Sequence, residues 1–252
     1  MTADAYLITI LAREAVDASP LSAVWVARNR LTPIVSKWAG SMLLSIAPSG
    51  SFAKGTANNS GTDLDLFISL SPATRETLKE IYESLFRALA GAGLGPRRQN
   101  VSLGVRIDGI DIDLVPGKLQ SILGADHSLY RSKADSWTKT NVQVHVNHVR
   151  RSGRQAEARL IKLWRDQNGL IFPSFYLELA VIRALESSSG GLAERVWQAL
   201  GYFAAGFEGA RFVDPANTNN VISDDLTLRE KAEIREQANR ARSARTWQEI
   251  IR

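Results

Sequence analysis

Two aspartates one residue apart, Asp63 and Asp65, stand in a segment whose apolar residues alternate: Leu64, Leu66, Ile68 and Leu70. On a strand, residues i and i+2 point to the same face, so the two carboxylates are held side by side. Like charges so placed are unfavourable unless a cation neutralises them. Hard oxygen donors suit Mg²⁺, which keeps some of its waters and recruits substrate phosphates. Just upstream runs Gly50-Ser51-Phe52-Ala53-Lys54-Gly55-Thr56, between a short apolar run and a short helix. Gly50 and Ser51 offer backbone N–H groups and a hydroxyl to an anion. An Asp-x-Asp alone describes many solvated strand faces. Joined to a Gly-Ser loop at this spacing, it reads as a cation site beside an anion cradle. That combination fits a nucleoside triphosphate carrying Mg²⁺.

A third carboxylate should come from a neighbouring strand. Asp108-Gly109-Ile110-Asp111-Ile112-Asp113-Leu114-Val115-Pro116 supplies the candidates. Asp108 falls in a turn, while Asp111 and Asp113 share a face by parity. Three carboxylates could hold two Mg²⁺ (or Mn²⁺) about 3.5–4 Å apart, one activating an attacking hydroxyl and one carrying the triphosphate. Lys162 shares a helix face with Arg159 and Arg165 at i−3 and i+3, and Lys54 lies within the loop. Lys54 could reach phosphate or sit in solvent, and the Lys162 face by itself reads as a solvated basic one. Arg150, Arg151 and Arg154 could follow a polynucleotide backbone, although Glu157 and Asp166 interrupt the run. His145 and His148 lack further ligands at suitable steps, so no metal is expected there. Tyr176 could stack on a base, against a packing role like that expected of Trp164, Phe175 and Leu177. Glu178 reads as a brace or cap.

These residues need strands first and helices after. Met42 to Ile46 predicts a buried strand, Asp63 to Leu70 a half-buried one, and 101–105 with 110–115 a hairpin around Asp108-Gly109. Helices are expected over 4–16, from a Ser19-Pro20 start to about Trp38 with a kink or stop at Pro33, and over 74–89. After Pro116 the pattern turns helical, over 141–168, 174–187, 191–206 and 225–250. A mixed α/β lobe followed by a helical lobe results. The 252 residues are 44% hydrophobic and 23% charged, which excludes collagen-like, coiled-coil and largely disordered chains. With no cysteine there is no disulfide framework, thiolate zinc site or cysteine nucleophile. No run of 18 apolar residues occurs and Met1-Thr2-Ala3-Asp4 does not open a signal peptide, so a cytoplasmic protein without membrane attachment is expected. A net charge of +5 invites a polyanion only weakly.

The string Gly-Ser-Phe-Ala-Lys-Gly-Thr, followed by Thr-Asp-Leu-Asp-Leu, resembles the signature of the DNA polymerase β-type nucleotidyltransferase superfamily. The strand ending Asp113-Leu114-Val115-Pro116 is similar to that family's third-aspartate strand, which favours Asp113 over Asp111. Trp137-Thr138-Lys139-Thr140-Asn141 with His145, then Arg159 to Trp164, then Pro173 to Glu178, resemble the helical lobe of one branch. That branch holds the oligoadenylate synthases, the cyclic GMP-AMP synthase-like bacterial enzymes (CD-NTases) and the archaeal CCA-adding enzymes. Asp214-Pro215-Ala216-Asn217 also resembles a late CD-NTase loop. The likeness covers about residues 45–225. It departs at Gly61-Thr62-Asp63, where a serine usually precedes the first acid.

The resemblance implies an α+β fold: a polymerase β-like palm over 1–140 with N-terminal helices, and a helical nucleotide-binding lobe over 141–252 closing a nucleotide cleft. It implies Mg²⁺-dependent transfer of a nucleoside monophosphate from an NTP, ATP by preference, to a hydroxyl. Asp63, Asp65 and Asp113 would be catalytic and hold two metal ions with the NTP. Gly50, Ser51 and Lys162 would bind the triphosphate, Lys54 would assist, and His145 and Tyr176 would lie near the sugar or base. The first expected product is a cyclic or linear oligonucleotide second messenger. The alternatives are addition to an RNA 3′ end, as in CCA addition, transfer to a protein side chain, and a catalytically dead nucleotide-binding protein. RNA enters as acceptor or activator.

Overall fold

Alternating apolar residues in the first half and 3.6-residue periodicity in the second do give a sheet and a helical body. The computed structural model describes residues 1–19, 22–61 and 63–252. They group into two units: one of residues 17–53 and 61–146, the other of residues 1–16, 54–60 and 147–252. The fold class is α+β, as the sequence predicts.

The sheet unit contains β1 (Leu43–Pro48), β2 (Leu64–Leu70), β3 (Arg97–Arg98), β4 (Leu103–Ile107), β5 (Ile110–Leu119), β6 (His127–Arg131) and β7 (Ser136–Thr140). The order is β1-β2-β5-β4-β3, with β6 on the far end of β5 and β7 beside β6. Strands β2 and β5 run parallel and the other pairs antiparallel. The alternation in β2 has its expected effect, since Leu64, Leu66 and Ile68 are fully buried. They pack with Leu31 and Val35 of α2 (Ala23–Ala39) and with Tyr82, Leu85 and Leu89 of α4 (Leu78–Gly91). Helix α4 starts at a capping box, where Thr77 and Glu80 satisfy each other's backbone N–H groups. The β4–β5 hairpin turns at Asp108 and Gly109, with φ of 51° and 84°, as a two-residue turn matching the strand twist requires.

Helix α2 runs through Pro33 and does not end there. Its N-cap is Ser22; the Ser19-Pro20 start falls on Pro20, outside the described residues. The β6–β7 hairpin and β3 had no expectation behind them.

The helical unit holds α1 (Ala3–Arg13), α6 (Gln155–Gln167), α7 (Ser174–Ala184), α8 (Leu192–Ala205), α9 (Leu228–Arg242) and α10 (Trp247–Ile250). Two elements run across the division: the short α3 (Gly50–Lys54) and α5 (Val142–Ser152). The single helix expected over 141–168 is two, because Gly153 adopts φ +66° and breaks it between α5 and α6. The boundary at residue 140 is corrected as well. The division falls at 146/147, and residues 1–16 belong with the helices, where Leu7 and Ile10 sit in the core beside Trp164 and Phe203. Among the described residues, no helix is long and apolar enough to cross a membrane.

Candidate active site

The parallel pairing of β2 with β5 sets the acids. Its register places Asp65 opposite Asp113. Paired residues across a sheet project to the same face, so these two carboxylates share one. Asp63 lies immediately before β2, in phase with Asp65.

Although Asp63 is largely exposed, the protein around its carboxyl and the nearby Asp111 carboxylate push its pKa up, with Arg97 opposing. Burial, then Asp63, likewise raise Asp113, against the hydrogen bond from Gln99 and the charge of Arg97. Crowded acids with raised proton affinity are what a multivalent cation would relieve. The donor set, all carboxylate oxygen, suits Mg²⁺ or Mn²⁺. Among the described residues, no three His, Asp or Glu side chains already converge closely enough to hold an ion.

The loop before the acids is built against them. Strand β1 ends at Pro48, and the Ser49 N–H donates to the Asp65 carbonyl at 2.8 Å. Gly50 turns the chain at φ +54° into α3. A Cβ on Gly50 would stand 1.6 Å from Asp65 Oδ2. Only glycine therefore permits both the turn and the close approach of the Asp65 carboxylate. Ser51 follows, half-buried, at the start of the same helix. The sheet unit thus brings together Gly50, Ser51, Asp63, Asp65 and Asp113.

Three partners in this unit had no sequence signal. Gln99 Nε2 donates to Asp113 Oδ1 at 2.8 Å, while its Oε1 accepts from Ser102 at 2.9 Å. Arg97 Nη2 pairs with Asp111 Oδ1 at 2.8 Å. Gly104 lies between them, and a Cβ there would meet Gln99 Nε2 at 3.0 Å and Asp113 Oδ1 at 3.2 Å.

The helical unit contains Lys54, Lys162 and Tyr176, each in a setting different from the expected one. Lys162 is 4% exposed, on an inward helix face. Its ammonium donates to Glu178 Oε1 at 2.6 Å, Thr56 Oγ1 at 3.1 Å and the Thr56 carbonyl at 3.2 Å. Lys54 is buried too, donating to Glu178 Oε2 at 2.5 Å with its ammonium over the Phe175 ring. Burial raises the Glu178 pKa, but the two ammoniums outweigh it and leave the carboxyl below its usual range. Burial lowers Lys162, against the pull of Glu178. Two cations on one carboxylate leave this cluster with one positive charge in excess.

The rest of the basic face is also inward. Arg159 donates to Asn58 and to the carbonyls of Leu11 and Glu14. Arg165 holds the Phe172 carbonyl and Ser174. Arg154 holds the carbonyls of Leu185 and Ser188, which corrects its reading as a polynucleotide contact. Base stacking by Tyr176 is corrected too: it is 0% exposed, ringed by Phe172, Phe207 and Phe212. Three large apolar rings leave no open face for a base. His145 is half-buried on α5. Asp214 is buried and folds its own loop, accepting from the Ala216 N–H and the Asn220 amide.

No protein-family model matches the chain. A cyclic AMP-AMP-AMP synthase of Escherichia coli (strain MS 115-1) is 26% identical over 179 residues, covering 64% of this chain and 56% of the relative. The match therefore spans little more than half of that relative's length. The solved structure of E. coli MS115-1 CdnC with ATP superposes with a TM-score of 0.75 at 19% identity, over 96% of this chain and 91% of the other. A Cid1 poly(U) polymerase mutant bound to MgATP gives 0.69 at 11% identity, over 97% and 95%. The fold is that of the DNA polymerase β-type nucleotidyltransferases, shared with the CD-NTases.

Proposed function

We propose that this chain, with the fold of DNA polymerase β-type nucleotidyltransferases, transfers a nucleoside monophosphate from an NTP to a hydroxyl and releases pyrophosphate. The observation that carries the reading is the registered pair Asp65 and Asp113, with Asp65 seated against the Gly50 turn. A relative named as a cyclic AMP-AMP-AMP synthase and a neighbour solved with ATP favour an oligonucleotide messenger as product and ATP as substrate.

Asp63, Asp65 and Asp113 are the residues to hold divalent ions, Mg²⁺ or Mn²⁺. Bound there, the ions supply charge for the triphosphate and acidify the attacking hydroxyl. The backbone N–H groups at Gly50 and Ser51, with the Ser51 hydroxyl, bind phosphate oxygens. Lys54 closes the short helix that Gly50 opens. The attacking oxygen bonds to the α-phosphorus as the bond to the β-phosphate oxygen breaks, and pyrophosphate leaves with that electron pair. Asp113, its carboxylate fixed by Gln99, orients the attacking hydroxyl and accepts its proton as the new bond forms. Catalysis rests on positioning and charge neutralisation.

The test is labelled NTP with Mg²⁺ or Mn²⁺, with and without total tRNA, beside Asp65→Ala, with products resolved after phosphatase treatment. A small, resistant product made without acceptor, and absent with Asp65→Ala, is the expected result. Label found only on RNA would replace the messenger with terminal addition. Full activity in a folded Asp65→Ala protein would remove Asp65 from the chemistry.

A further inference from the structure

Parity on β5 puts Asp111 on the same face as Asp113, so the face carries a fourth acid that three-carboxylate chemistry does not need. The sheet register shows how it is dealt with. Arg97 on β3 pairs with Gly104 on β4, Gly104 with Asp113 on β5, and Asp113 with Asp65 on β2. These four positions form one row across the sheet, and side chains in a row project to one face. Gly104 contributes no side chain to that row. Arg97 lies over β4 beside that place: a Cβ on Gly104 would stand 3.6 Å from Arg97 Nη2, in ordinary contact. From this position the guanidinium reaches Asp111 at 2.8 Å.

We propose that Arg97 is a positioning residue of the acidic cluster, whose guanidinium claims Asp111 and so leaves Asp63, Asp65 and Asp113 as the only carboxylates offered to divalent ions. This rests on the metal-dependent reading above. The two acids of the row have other contacts: Asp113 is held by Gln99, and Asp65 lies against Gly50. Next in sequence, Arg98 faces away to Glu83 at 2.6 Å and the Phe86 ring, as the strand's two-residue period requires. With Arg97 removed, Asp111 is released as a fourth ligand. Ions then bind more tightly and at the wrong carboxylates.

The experiment is an electron paramagnetic resonance titration of Mn²⁺ into wild type, Arg97→Ala, Arg97→Lys and the double variant Arg97→Ala/Asp111→Asn. Asp65→Ala serves as the site control, and kcat and KM for ATP are measured alongside. Arg97 is largely exposed, so its variants should fold. Arg97→Ala should bind Mn²⁺ about tenfold more tightly, because site affinity follows ligand charge count. Its kcat should fall about tenfold with KM within about twofold, since misplacing a reacting group costs rate more than binding. Arg97→Lys should keep Mn²⁺ affinity near wild type. The double variant should return affinity and kcat to within about threefold of wild type, the signature of two coupled side chains. Unchanged Mn²⁺ affinity in Arg97→Ala overturns the proposal. So does a raised KM that Asp111→Asn fails to rescue, which would make Arg97 a substrate contact. Wild-type Mn²⁺ binding that Asp65→Ala does not weaken overturns this proposal and the metal reading together.

Discussion

Gly50 joins the anion turn to the acids through a single missing atom. Its φ of +54° disfavours any side chain, and a Cβ would stand 1.6 Å from Asp65 Oδ2. Gly50→Ala should therefore displace the Asp65 carboxylate and reduce turnover at least about a hundredfold, the usual cost of an ångström-scale misplacement. The left-handed backbone should cost about 1–2 kcal/mol of stability. Turnover of labelled NTP and a thermal melt check both, and wild-type turnover would separate Asp65 from the reaction. Gly50, Asp63 and Asp65 could be picked from the sequence because residue type and spacing along one strand and the turn before it carry their meaning, whereas parity left Asp111 and Asp113 equal and only the family resemblance favoured Asp113. Arg97, Gln99 and Gly104 could not, since their role exists only once β3, β4, β5 and β2 are in register. The buried settings of Lys162 and Tyr176 were not legible for another reason. A helix face is legible from periodicity, but whether a basic face looks inward depends on what packs over it, here Thr56 and Glu178.

At the scale of elements, the missed β6 ties itself to β2 across β5. His127 on β6 is 9% exposed; its Nδ1 bonds the Ala125 carbonyl at 2.9 Å and its Nε2 meets Ser69 Oγ on β2 at 2.7 Å. Its ring sits edge-on to Phe67, 4.9 Å between centroids. Gly117 on β5 makes room: a Cβ there would meet Phe67 Cζ at 2.5 Å. No short motif announces such an arrangement, because its parts come from three strands. Burial holds the His127 pKa below its ordinary 6.5, against the Ala125 hydrogen bond and Asp126. The unfolded chain takes up this proton first as pH falls, so the histidine favours unfolding below about pH 6.5. Its stabilising contribution is complete above that value and is lost as pH drops through the folded-state pKa. Denaturant unfolding between pH 7.5 and 5.5 should show stability falling by no more than about 1.4 kcal/mol per pH unit from this one group. In His127→Gln that part of the slope should vanish. An identical pH profile in the variant would show that His127 titrates alike folded and unfolded.

At the scale of the whole molecule, the helical unit is assembled from pieces far apart in the chain, and α1 is the most distant. Sequence periodicity predicts α1 from Tyr6, Leu7, Ile10 and Leu11, but an apolar stripe says only that a helix needs a core. It does not say which core, and adjacency in sequence favoured the sheet. The structure gives α1 to the helices: Leu7 is 0% and Ile10 3% exposed within their core. Polar contacts fix the same docking. Asp4 accepts from the Ala193 N–H at 2.7 Å, Tyr6 donates to the Ile251 carbonyl at 2.9 Å, and Arg13 to the Arg252 carbonyl at 2.7 Å. Arg159 on α6 is anchored to the carbonyls of Leu11 and Glu14. Deleting residues 1–16 removes two fully packed aliphatic side chains, each contributing about 1.5–3 kcal/mol, and strips Arg159 Nη2 of both its carbonyl acceptors while Nε keeps Asn58. At about 2–4 °C per kcal/mol for a chain of this size, the melting temperature should fall by about 10 °C or more. Hydrogen exchange should locate the loss in α6 and α8, which pack against α1, while β2 and β5 keep their protection. Faster exchange in β2 and β5 with α6 and α8 unchanged would instead make α1 a support of the sheet, where its place in the sequence first put it.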